Sequence, residues 1–204
     1  MTNIDWIGFI PASVAVVLAP GPGSIFVAKS AASAGVRAGR SAMLGIMVGD
    51  TLLILLSLLG VSALFAAYPS LFHTTRLVGA CYLIFLGLQS FFAAPKNKVA
   101  DSQESVLSFK KAVTITLLNP KAVLFFMAFF PLFIRSGEQG LLYSYATMTI
   151  VFIVISASYL LFLSHVSSKA GAAFHESSLL QSVARKVCGC LFIGFGIKVA
   201  ISSR

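Results

Sequence analysis

The stretch WIGFIPASVAVVLAPGPGSIFVA, residues 6–28, decides the fold. It is apolar for long enough to cross a bilayer, which needs ~20 such residues. Yet Ala19-Pro20-Gly21-Pro22-Gly23 interrupts it. Pro20 and Pro22 lack N–H groups and clash with the carbonyls four residues back. The carbonyls of Val16 and Leu18 therefore lose their helical partners, and Gly21 and Gly23 loosen the backbone further. Unsatisfied backbone is not tolerated against lipid, so the break must face protein or a water-filled cavity.

Five further apolar runs follow. With the first they predict an all-α polytopic membrane protein of six transmembrane helices: Trp6–Ala28, Ala42–Ala67, Leu77–Ala94, Ala112–Ile134, Leu141–Leu163 and Val187–Ser203. The third and sixth are short, and Lys198 near the end of the sixth can snorkel to the interface. Composition agrees. Apolar residues make up 58% and charged residues 10% of the 204, against ~25% charged in a soluble domain. The 18 Phe exclude a disordered chain. The first run is no cleavable signal: its leading segment carries Asp5 and no Lys or Arg, and its apolar stretch is too long. One transporter domain over residues 1–204 is expected, since the longest gap is Pro95–Lys111.

The net charge of +9 does not indicate nucleic acid, because the basic residues sit in short gaps between apolar runs. Lys29, Arg37, Arg40, Lys96, Lys98, Lys110, Lys111, Lys169, Arg185 and Lys186 fall in the odd-numbered gaps. Arg76, Arg135 and Arg204 fall in the even gaps and the tail. This bias puts the odd gaps in the cytoplasm and both termini outside.

The polar segment around Pro95-Lys96-Asn97-Lys98 divides the chain into three spans and three. An odd number per half lets the halves insert in opposite senses, as a 3+3 inverted repeat. The fourth span repeats the defect of the first. In Leu118-Asn119-Pro120-Lys121, Pro120 frees the carbonyl of Thr116. A matching pair of interrupted spans points to a transporter's binding site, here Pro20, Gly21, Pro22, Gly23, Asn119, Pro120 and Lys121.

Embedded polar residues sharpen this. Asp50 is the only acidic residue within a span, ~12 Å from the cytoplasmic end of the second helix, and Lys121 lies ~13 Å deep in the fourth. An intramembrane charge costs ~2.5–3.5 kcal/mol, which pairing Asp50 with Lys121 would offset in part. Asp50 is also the natural proton-coupling residue. Ser156 and Tyr159, one turn apart on the fifth span, can offer hydroxyls to a ligand. Phe125, Phe126 and Phe129 are candidates for an apolar pocket or for core. Gly45 and Gly49 share a face and are read first as packing. Cys81, Cys188 and Cys190 form no CxxC, and His73, His165 and His175 have no ligand spacing. No metal site and no cofactor is expected, and no membrane-enzyme nucleophile or acid/base set is present.

The string Ala19-Pro20-Gly21-Pro22, Gly45 through Asp50, and Asn119-Pro120-Lys121 together resemble the LysE/RhtB family of amino-acid exporters. Further likeness lies in Val27 to Gly35, Val78 to Gly87 and Leu118 to Ile134. The resemblance implies a bacterial inner-membrane exporter of six helices driven by the proton motive force. After the second Pro the family often has Asn or another polar residue, and here Gly23 stands there. An amino acid's carboxylate is expected to meet Lys121 or the N–H groups after Pro22. Its ammonium is expected to meet Asp50 or the freed carbonyls. A single embedded carboxylate favours a neutral, leucine-like amino acid. The alternatives are homoserine, threonine or other small amino acids, or a heavy-metal ion, for which Asp50 alone is a poor site. The expected partners are the amino acid, protons and lipid; the oligomeric state stays open, a homo-oligomer included.

Overall fold

In the computed structural model, residues 4–67, 105–134 and 140–170 are described, with single helical positions within 81–88 and 186–197. The expected third and sixth spans and the segment around Pro95 therefore lie largely outside the described residues. Helix α1 (Trp6–Leu18) starts where the Asp5 carboxylate accepts from the N–H of Gly8 at 3.3 Å. It stops because Ala19 precedes a proline and turns extended, at φ −60° and ψ 119°. Helix α2 (Pro22–Ala67) opens on Pro22, whose missing N–H costs nothing in a first turn. Helix α3 (Ser105–Leu117) ends before Pro120, and Pro120 begins α4 (Pro120–Leu124). A π-helical turn (Phe125–Phe129) and a 3₁₀ turn (Phe130–Phe133) continue α4. Helix α5 (Leu141–Ala170) closes the described bundle.

Helix runs past the expected span ends at Ala28 and Ala42. Most of residues 29–41 is helical, and the chain reverses within α2 at Ala34 and Gly35, where φ is 80° at the glycine. Contacts show the reversal. Gly39 abuts the Cβ of Ala31, and Gly23 abuts Ile46. In a straight helix residues eight apart would stand ~12 Å apart. The index sums of these pairs, near 70, describe an antiparallel hairpin pivoting at 34–35. Length says the same. The apolar helix Pro22–Gly60 has 39 residues, ~58 Å of helix, about twice the ~30 Å hydrocarbon layer. Helix α3 likewise begins before Ala112, and α5 continues past Leu163 to Ala170.

Among the described residues two helices are long and apolar enough to cross a membrane, Pro22–Gly60 and Leu141–Lys169. Ser108–Leu117 and Pro120–Phe133, bent by 54° at their break, make a third if taken as one span. Large apolar side chains such as Ile7, Leu59, Ile150 and Phe162 point outward from these helices. Such surface is costly in water and is what lipid covers. The protein is a membrane protein, built of helices over the described residues.

Span 1 and span 4 run antiparallel with their breaks in register. Asp5 N donates to Phe133 O at 2.7 Å, and the rings of Phe9 and Phe130 meet edge to face. Ala19 meets Lys121, and Lys111 sits 6.0 Å over the Phe26 ring. The paired indices sum to 137–140 along the whole length, as two spans crossing break to break require. The second half of α2 runs parallel to α3, with Gly45 against Ala112 and Gly49 against Thr116. It runs antiparallel to α5, with Ser57 bonded to Tyr145 at 3.2 Å and Arg40 to His165 at 3.3 Å. Without a hydrophobic drive between helices in lipid, close backbone approach at small residues supplies the packing. Gly45 and Gly49 serve that role, as expected.

Among the described residues two buried clusters result. The larger gathers Phe9, Phe125, Phe126, Phe129, Phe130, Phe133, Tyr145 and Phe152 toward the end where Ile4 meets Ile134. The smaller, around Val27, Met43, Ile46 and Leu160, lies toward the hairpin turn. That turn end also carries Lys29, Arg37, Arg40, Lys110, Lys111 and Lys169.

Candidate functional site

The two breaks face each other across a cavity of about 60 Å³ between the two clusters. Four helix ends meet there: the C-termini of α1 and α3 and the N-termini of α2 and α4. Each contributes a partial charge, negative at the first pair and positive at the second.

Lys121 stands in the first turn of α4. Its position is set by Asn119, whose side-chain oxygen accepts from the Lys121 N–H at 3.1 Å and so caps the helix. The Lys121 ammonium crosses to span 1 and donates to the carbonyls of Ala19 at 2.8 Å and Val16 at 3.1 Å. Val16 is the carbonyl that Pro20 deprives of its helical donor. Gly21 makes the reach possible: a Cβ there would sit 2.9 Å from the Lys121 Nζ. Gly21 itself is tied by Ser24, whose hydroxyl accepts from the Gly21 N–H and lies 3.1 Å from the Gly21 carbonyl. On span 4 the expectation for Thr116 is corrected. Its carbonyl accepts from Asn119 N at 3.1 Å, a tightened last turn of α3 that replaces the donor lost at Pro120.

Asp50 lies on α2, 6% exposed, in the wall of the same cavity. Ile46, one turn earlier, lies beside it. Helix α5 contributes Phe152, Ser156 and Leu160 at successive turns. Of the residues singled out in the sequence, Gly21, Gly23, Asn119, Lys121, Ser156 and Asp50 line the cavity. Pro20, Pro22 and Pro120 shape the breaks without lining it. Tyr159 packs instead against the turn-end cluster around Val27, Met43, Ile46 and Leu160. Phe126 reaches the cavity, whereas Phe125 and Phe129 are buried in the aromatic cluster.

Several lining residues escaped the sequence reading. Ser24 was findable, as a short polar residue one turn past a Pro-Gly break, where such residues cap. Phe152 and Leu160 carry no local signal, because which face of α5 meets the cavity depends on its packing against α2. The arrangement offers a fixed cation, a carboxyl group, three hydroxyls (Ser24, Thr116, Ser156) and an apolar wall of Val16, Val17, Ile46, Phe126, Phe152 and Leu160.

The LysE type translocator family profile matches residues 14–203. The chain is 35% identical over 207 aligned positions to an uncharacterized membrane protein of Pseudomonas aeruginosa, covering 98% of this chain and 96% of that protein. It is 32% identical over 196 positions to a leucine efflux protein of Salmonella typhimurium, covering 94% and 92%. A leucine efflux protein of Klebsiella pneumoniae is 29% identical over 201 positions, covering 97% and 95%. No solved structure matches. A break-to-break crossing of two spans around a polar cavity, and a family match over nearly the whole length, lead to one assignment: the chain belongs to the LysE type translocators.

Proposed function

We propose that the chain is a secondary exporter of a neutral, leucine-like amino acid, coupled to proton entry across the bacterial inner membrane. The observation that carries this reading is the cavity itself, where Lys121 and Asp50 share one wall system at the crossing of two broken spans. The carboxylate is bound by Lys121 and the first turn of α2, the apolar tail by Ile46, Phe126, Phe152 and Leu160. Asp50 carries the proton. The leucine efflux relatives support the substrate class.

The cavity of about 60 Å³ has room for a handful of waters at roughly 10–15 Å³ of probe volume each. In this reading the chain has six spans in a 3+3 inverted repeat, with both termini outside the cytoplasm. The break-in-register crossing of spans 1 and 4 supports that repeat.

The test is uptake into inverted membrane vesicles under an imposed proton gradient, with labelled amino acids in parallel. Leucine and its neutral analogues should accumulate, and collapse of the gradient should release them. Accumulation of lysine or cadmium with no neutral amino acid would overturn the reading.

A further inference from the structure

Two carbonyl oxygens at the C-terminal end of α1 already hold an ammonium group. The Lys121 Nζ lies 2.8 Å from Ala19 O and 3.1 Å from Val16 O, in the cavity wall, at a point where Gly21 leaves room for it. An ammonium has three N–H donors and no acceptor, so it is satisfied by oxygens alone. The negative end of a helix adds to the attraction. Nothing in this arrangement is specific to lysine. Any primary ammonium entering the cavity would find the same two oxygens.

We propose that the Val16–Ala19 carbonyl pair is the site for the substrate's α-ammonium, and that Lys121 is its resident occupant in the empty transporter, displaced on loading. This deepens the export reading and rests on it for the natural ligand. Two ammonium groups cannot share the pair, because they repel at contact distance. Lys121 must leave as the substrate arrives, and its next partner is at hand. In an α-amino acid the carboxylate hangs from the carbon that bears the nitrogen, so Lys121 needs only to pivot on its stem to meet it. A carboxylate alone would draw Lys121 away and leave two carbonyls bare. An amine alone would expel Lys121 toward Asp50, which offers no anion while it carries its proton. Only both groups together complete the exchange, which selects an amino acid over an amine or an acid.

The experiment is a thermal-shift measurement on the purified full chain with isopentylamine, with acetate, and with both. The two together should raise the Tm by more than the sum of their separate effects. Purely additive shifts, or none, would overturn the exchange. In Lys121→Ala the pair is vacant, so isopentylamine alone should raise the Tm saturably and acetate should add nothing. Tetramethylammonium, which has no N–H, should leave it unchanged. A Tm raised equally by tetramethylammonium would refute a carbonyl site. Leucine separates this inference from the export reading. Leucine-dependent stabilisation and transport with merely additive half-ligands would leave export standing and remove the exchange. Synergy of the half-ligands without any response to leucine would do the reverse.

Discussion

Lys121 acts first on backbone. By donating to Val16 O and Ala19 O it supplies what Pro20 and the broken turn withhold. Lys121→Ala should therefore lower stability by about 1–3 kcal/mol for each carbonyl left bare, as well as abolishing transport. Thermal unfolding of the purified variant measures the first effect and vesicle uptake the second; a variant as stable as the parent would show that the latch carries no load. Asp50→Asn should behave differently. Asn keeps the shape and hydrogen bonding but cannot carry a proton. The variant should fold and still bind leucine, with gradient-driven accumulation lost. Normal accumulation by Asp50→Asn would move the proton to another group. The residues that met at the site were legible where their chemistry was unusual. Asp50 and Lys121 stood out as charges in apolar runs, and Pro20, Pro22 and Pro120 as breakers. Their arrangement was not legible. Lys121 shares the cavity with Asp50, and the hydrogen bonds it also makes run to carbonyls, because only the crossing of spans 1 and 4 brings the α1 terminus within reach.

Among the elements, the hairpin inside α2 depends on one backbone conformation. Gly35 has φ 80° and ψ 176°, a region essentially closed to residues with a Cβ, at a cost of order 1–3 kcal/mol. No atom lies within 4 Å of a Cβ built there, so strain alone sets the penalty. Gly35→Ala should destabilise by roughly that amount. Gly60→Ala is the matched control, in helix and with equally open space. There alanine should be neutral or stabilising by up to about 1 kcal/mol. Equal melting temperatures for the two variants would remove the hairpin argument. Gly45 tests packing rather than strain. A side chain there would run into the Phe109 carbonyl and Ala112, and backbone cannot yield as a side-chain tip can. Gly45→Val should cost at least about 1–3 kcal/mol and show as reduced membrane-inserted protein on a fluorescence-detected sizing column. The hairpin's location was hidden in sequence because residues 29–41 mix Ala, Ser and Gly with three basic residues. That mixture reads as a loop by hydropathy. Alanine and the basic side chains are nevertheless strong helix formers, and a single glycine suffices for the reversal.

At the scale of the whole molecule, sidedness can be argued from charge and geometry together. The described helices fix relative directions. Span 1 opposes span 4, and the second half of α2 runs with α3 and against α5. These are the directions that alternating insertion of six spans requires, since spans 2 and 4 start from one side and spans 1 and 5 from the other. The hairpin turn, the N-terminal half of α3 and the C-terminal end of α5 thus share one end of the bundle. That end gathers Lys29, Arg37, Arg40, Lys110, Lys111 and Lys169, while the opposite end begins with Asp5. Positive residues stay on the cytoplasmic side during insertion. The turn at Gly35 is therefore expected in the cytoplasm and both termini outside it. Alkaline phosphatase fused after Arg204 should be active, and a cytoplasm-dependent fluorescent reporter at that position dark. A fusion within the 34–35 turn should give the opposite pattern. A glowing reporter at Arg204 would sink the outside assignment of the C-terminus. If the turn fusion still reported cytoplasm, the six-span count would fall with it, because an even number of crossings must return the chain to the side on which it began.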